Sequence, residues 1–159
     1  ISSQRIDFRV LGDIAKRFQV SLEALCIRYI KFTTQRAILV YWDNGFVKYE
    51  WRSSSAVKTR ARIRRTDDPQ EPIPGTLAAD STVEQEWDGT EMSAAIWCPE
   101  EAPHMKLREF KHSYTTGDRV LTLLLLESAE PRAWDRSWQD GESFDSFDQF
   151  VSTGQLPVR

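Results

Sequence analysis

Apolar residues near the start of the chain recur at the three-and-four spacing of a helix. Val10, Leu11, Ile14, Ala15 and Phe18 would line one face of a first helix. Gln19-Val20 makes a turn, Ser21 is an N-cap, and Glu23 stands in the first turn of a second helix, where the dipole favours a carboxylate. The pattern predicts a helical pair over residues 7–32. Its second helix carries more apolar surface than one face needs, so the pair must dock on something. Leu22, Leu25, Ile27 and Ile30 are the candidate packing residues.

From Ala37 the period changes. AILVYW and FVKYEW, separated by Asp43-Asn44-Gly45, predict a β-hairpin, because Asn-Gly tolerates positive φ. After a serine triplet, Val57 to Arg65 reads as another extended run. Its alternation would put Lys58, Arg60, Arg62 and Arg64 on one face and Val57, Thr59, Ala61 and Ile63 on the other. Thr66 to Gly75 holds three prolines and three acids and predicts a loop. Asp80 to Asp88 predicts a short helix, and residues 94–97, 106–114 and 119–127 predict strands, the last two joined by Thr115-Thr116-Gly117-Asp118. The apolar density from Val120 to Leu126 fits a strand buried on both faces in the middle of a sheet. From Ala129 the chain turns acidic and aromatic. Ser143 could cap a short helix carrying Phe144, Phe147 and Phe150 or Val151. The expected class is α+β with a mainly antiparallel sheet, divided into a helical pair (1–34), a sheet domain (35–128) and a C-terminal extension (129–159).

Composition narrows the function classes. The chain has 159 residues and a formal net charge of −3, so no global basic field advertises nucleic acid. No apolar run reaches the ~20 residues of a membrane span. The start lacks the basic and apolar regions of a signal peptide. It also lacks an initiator Met, which raises the expectation of a piece of something longer. Cys26 and Cys98 match no metal or redox spacing and read as reduced, core-filling thiols of a cytoplasmic protein.

Little in the sequence suggests catalysis. His104 and His112 are eight residues apart, matching no zinc pair, and no G-x-S-x-G, phosphate loop or H-E-x-x-H occurs. The expectation is a non-enzyme with no cofactor in this chain. Of six tryptophans, Trp42, Trp51 and Trp97 fall on predicted strands and are the candidates for an aromatic-lined pocket, against the plainer reading of core filling. Lys58, Arg60, Arg62 and Arg64 are candidate anion-binding residues, for a phosphorylated ligand, nucleic acid or an acidic partner. The competing reading is a solvated, aggregation-resistant edge.

The helical pair has the cadence of a helix-turn-helix but not its reading face. Among Ser21, Leu22, Glu23, Cys26, Ile27 and Ile30, which would face a groove, four are apolar or thiol, and Glu23 would repel phosphate. Packing is the better reading, and nucleic acid is not an expected partner.

The run Ile14-Ala15-Lys16-Arg17-Phe18-Gln19-Val20-Ser21-Leu22-Glu23-Ala24 resembles the LA-x-x-F-x-VS-x-x-A segment that follows the zinc site in the ImmA/IrrE family of bacterial metallopeptidases. AILVYWDNGFVKYEWRSSS is similar to the strand pair after those helices, and HMKLREFKHSYTTGDRVLTLLLLE to the last strands of a GAF-like C-terminal domain. Members of the family carry H-E-x-x-H and a further Glu before this region, cleave a repressor and switch on stress or mobile-element genes. None of those ligands stands in this sequence, so no catalytic residue carries over. The resemblance implies the non-catalytic regulatory or sensor portion of such a protein. It would comprise a helix-turn-helix-like pair and a GAF-like domain that binds a small molecule or protein and signals to an upstream protease domain. The alternatives are a freestanding transcription regulator whose helices bind DNA, and a module that forms a homodimer.

Overall fold

The computed structural model describes residues 6–65, 70–114 and 118–129. Their elements run α1 (Phe8–Phe18), α2 (Leu22–Phe32), β1 (Arg36–Asp43), β2 (Phe46–Arg52), α3 (Ser54–Lys58), β3 (Gln85–Ser93), α4 (Ala94–Trp97), β4 (Lys106–Ser113) and β5 (Arg119–Leu126). The five strands form one sheet in the order β2-β1-β5-β4-β3, with every neighbouring pair antiparallel. The α+β class and the central place of Val120 to Leu126 are as the pattern predicts. Helices and sheet lie within one compact unit that ends at Ser128. The expected C-terminal helix at Ser143 lies outside the described residues. No helix among the described residues is long and apolar enough to cross a membrane.

Local chemistry sets the helix ends. The Val10 N–H donates to Asp7 Oδ1 at 2.8 Å, and the Ala24 N–H donates to Ser21 Oγ at 3.0 Å. Each side chain satisfies one of the orphan donors of a first turn. Between them Gln19 takes a left-handed conformation (φ 58°) that stops α1. The buried stripe of α1 is Phe8, Leu11 and Ala15, while Val10 and Ile14 are half-buried. Phe18 continues the stripe past its cover and stands 67 % exposed.

The pleat gives the sheet two apolar faces. On the first, Leu39, Tyr41, Leu121, Leu123 and Phe110 pack with Phe8, Leu11, Cys26 and Ile30. Leu22, Leu25 and Ile27 join this cluster half-buried, so all four candidate packing residues meet there. On the second face Ile38, Val40, Trp42, Leu107, Leu124 and Leu126 are covered by α3, α4 and irregular chain, through Ala61, Ile63, Ile73, Ala78 and Met105. A strand covered on both sides reads as a continuous apolar run, as β1 and β5 do.

Three expected elements differ. Val57 to Arg65 is not a strand. Ser53 Oγ accepts from the Ala56 N–H at 3.2 Å and starts α3, and Arg60 then turns left-handed (φ 63°). The serine triplet is a helix start, which the alternation beyond it hid. Lys58 therefore belongs to a helix and Val57 is 50 % exposed, although Ala61 and Ile63 still point inward between exposed Arg60, Arg62 and Arg64. Asp80 to Asp88 is not a helix either: turns give way to β3, which pairs with β4 from Gln85. A break in register between Glu86 and Thr90 disguised this strand. It contains Gly89 at φ +90°, where a Cβ would lie 2.4 Å from the Arg108 side chain. Residues 94–97 form one helical turn rather than a strand, because Ser93 Oγ accepts from the Ala95 N–H and the chain must reverse into β4.

Two measurements check this packing. Ile30 is fully buried and Leu25 only half, so Ile30→Ala should lower unfolding free energy by about 2–5 kcal/mol, with a smaller loss for Leu25→Ala, in urea titrations. Burial pushes both the Cys26 and Cys98 thiols up to about 12. A thiol-specific chromophore should therefore report no fast-reacting cysteine in the native protein and both after denaturation.

Candidate functional site

The second face of the sheet has no long helix to cover it, so irregular chain must lie against apolar strands with its peptide groups satisfied. Two charged residues of β4 do this. Glu109 and Lys111 share a face, opposite Leu124 and Thr122 of β5, and are buried. The Leu77 and Ala78 N–H groups donate to Glu109 at 3.0 and 2.8 Å, and Trp97 Nε1 donates at 3.2 Å. Lys111 Nζ donates to the carbonyls of Leu77 and Asp80, each at 2.8 Å. One carboxylate and one ammonium thus hold both polarities of a single strap, residues 76–80. Burial pushes the Glu109 carboxyl above its ordinary range, against the three N–H donors and Lys111, which favour its charged form. Burial likewise pulls Lys111 down, while Asp80, Glu109 and Glu84 oppose the shift.

Beside this clamp is a cavity of about 580 Å³ at one end of the sheet. Its sheet side is Trp42, Val120, Ser113 and Lys111, drawn from β1, β5 and β4. Trp42 Nε1 donates to Thr122 Oγ1 at 2.9 Å, which fixes the indole. The strap side is Ala78, Ala79, Ser81, Val83 and Glu84, and the rim includes Asn44, Gly45, Asp118 and Arg119. Rim segments are tied together: the Asn44 N–H donates to the Asp118 carbonyl at 2.8 Å, and the Ser113 N–H to the Glu84 carbonyl at 3.0 Å. The volume suits a small organic molecule. Hydroxyl, amide, ammonium and carboxylate groups surround an apolar floor, an arrangement that binds and orients.

The candidate aromatics separate. Trp42 lines the cavity. Trp97 is fully buried behind it, with ring centroids 6.3 Å apart, and serves the clamp rather than the cavity. Trp51 lies elsewhere, 37 % exposed on β2 under the Lys31 ammonium. Lys58, Arg60, Arg62 and Arg64 line none of this cavity. A buried ion pair, Arg36 with Glu101, braces the same face, and Arg36 also donates to Thr59 Oγ1 at 2.9 Å. Sequence reasoning missed Glu109 and Lys111. The signal was there in KLREFKH: a strand whose alternation puts Leu107, Glu109 and Lys111 on one face has charged residues where a core face should be.

Among the described residues no group of three or more His, Cys, Asp or Glu is placed to hold a metal ion. His104 is exposed, and His112 lies between the rings of Trp87 and Tyr114. No protein-family model matches the chain, and no curated protein sequence is significantly similar to it.

Glu109→Gln keeps the shape but turns one acceptor into a donor facing N–H groups. It should cost roughly 1–3 kcal/mol in urea unfolding, and Glu109→Ala more, because it leaves three buried N–H donors without an acceptor. Limited proteolysis should cut both variants first within residues 76–80.

Proposed function

We propose that this chain is a non-catalytic sensor module that takes a small polar molecule into the cavity at the end of its sheet. The observation that carries this reading is the cavity itself, with Trp42 as a fixed aromatic floor and Lys111 beside it. A ligand offering a planar apolar part to Trp42 and acceptor atoms to Lys111 and the neighbouring hydroxyls fits it. One wall belongs to the strap, so a ligand that presses on Ala78 and Ala79 also acts on the clamp at Glu109 and Lys111. That connection gives binding a route to a conformational readout.

The wider setting follows from the resemblance of the helical segment to the ImmA/IrrE family. On that reading the chain is the regulatory portion of a repressor-cleaving metallopeptidase, with the protease domain upstream and a GAF-like sheet domain here. A helical pair on one face of an antiparallel sheet and a cavity against the other are compatible with such a sensor. On this reading the helical face is the partner-facing side and the cavity face the ligand-facing side.

Fragment screening by two-dimensional amide NMR tests the binding claim. Hits should shift the amides of Ala79, Ser113 and Val120 at submillimolar to millimolar concentration, and Ala79→Trp, which fills the cavity, should abolish those shifts. A library that leaves these amides unmoved, or binding untouched by Ala79→Trp, would remove the cavity as a ligand site.

A further inference from the structure

The net charge of −3 hides a strongly divided chain. Residues 24–65 contain ten Lys or Arg and only two acids, Asp43 and Glu50, which leaves 11 basic and 22 acidic residues elsewhere. The fold gathers this basic stretch along the β2 edge of the sheet. Lys31 of α2 lies over the Trp51 ring of β2, 5.7 Å from its centroid. Ser55 Oγ donates to the Thr34 carbonyl at 2.8 Å, tying α3 to the turn after α2. Arg52 donates to the Ala61 carbonyl at 3.1 Å, tying the chain after α3 to β2.

Not every cation there faces outward. Arg36 is taken by buried Glu101, Arg65 pairs with Glu50 at 3.3 Å, and Arg64 donates to the Ala95 carbonyl. Arg28, Lys31, Lys58 and Arg62 are exposed. Two large aromatic side chains are exposed with them: Phe32 at 71 % and Trp51 at 37 %. Arg28 lies 5.3 Å from the Phe32 centroid, so Phe32 and Trp51 each carry a cation.

A row of cations that only discourages edge-to-edge association needs no aromatic rings beside it, and exposed rings work against that purpose. Aromatic and Arg side chains grouped together are instead what a protein-binding surface is made of. Two polyanions could answer the charge, and the rings choose between them. Bases of a single-stranded nucleic acid stack on ring faces, and on Phe32 and Trp51 one of the two faces is already taken by Arg28 or Lys31. Carboxylates of a polypeptide can pair with those cations where they stand, while its apolar side chains reach the ring edges. We propose that the β2 edge, from the end of α2 through α3 to Arg62, is a docking surface for an acidic polypeptide segment bearing apolar side chains. This surface is independent of the cavity and stands whether or not the cavity binds a ligand.

Fluorescence anisotropy on the full chain tests it with three labelled probes of about equal length: a peptide repeating Glu-Leu-Glu-Phe, an oligoglutamate and an oligothymidylate. The mixed peptide should bind with micromolar affinity, roughly tenfold tighter than oligoglutamate, and weaken as salt is raised. Replacing Arg28, Lys31, Lys58 and Arg62 together with Gln should weaken it about tenfold or more. Phe32→Ala with Trp51→Ala should bring it down to the oligoglutamate level. Lys58→Gln with Arg62→Gln, outside both cation–ring contacts, supplies a second variant if the fourfold one fails to fold, and should weaken binding in the same direction. The proposal is overturned by the absence of saturable binding below millimolar concentration. Equal affinity for the two peptides would overturn it too, marking a plain charge patch, as would tighter binding of oligothymidylate, marking a nucleic-acid surface.

Discussion

Glu109 and Lys111 stand two residues apart on one face of β4, and both close on the peptide groups of the same strap. The second face of the sheet relies on this arrangement. Burying a backbone amide without a partner costs about twice what an ordinary hydrogen bond returns, so irregular chain rarely lies on an apolar sheet. Here the strand itself supplies an acceptor with two oxygens and a donor with three protons. Each charge is desolvated, yet each is answered by peptide dipoles that the fold needs to satisfy anyway. Ala78 and Ile73 can then cover Trp42 and Leu124 as a helix would.

The cavity follows from the same clamp. A strap held at residues 76–80 by β4 leaves the end of the sheet between Trp42 and Ser113 only partly covered, because the chain must next run to Ser113 to begin β3. The opposite face is built differently. There α1 and α2 bring a conventional apolar stripe onto Leu39, Leu121 and Phe110. Hydrophobic contact holds both faces, and the second adds hydrogen bonds from irregular chain to buried charges. Hydrogen bonds have stricter geometry than apolar contacts, and a ligand that shifts the strap slightly disturbs several of them together.

Elements with a single dominant signal were legible in the sequence. The Ser21 cap, the Asn44-Gly45 turn and the leucine run of β5 each state one outcome, and the fold follows them. The failures came where two signals overlapped. Ser53 begins a helix just before an alternating stretch, and the alternation of Ala61 and Ile63 reflects burial without strand pairing. In β3 the break at Gly89 interrupts the period of two that would have revealed it. Trp42, which lines the cavity, was named only together with Trp51 and Trp97 as a tryptophan on an expected strand, and nothing in the sequence separated the three. Glu109 and Lys111 were passed over because sequence alone does not say that a strap will cover them. The run from Lys58 to Arg64 was legible as charge, but the exposed rings Phe32 and Trp51 belong to other elements, α2 and β2.

The central claim is that Glu109 holds the strap through the Leu77 and Ala78 amides, and native-state hydrogen exchange reads those amides directly. In the wild-type chain both should be strongly protected despite lying outside any helix or strand. In Glu109→Gln their protection should fall well below that of the Leu121 and Leu123 amides of β5, which should stay slow. Leu77 and Ala78 amides that exchange freely in the wild type, or that remain equally protected in the variant, would contradict the account.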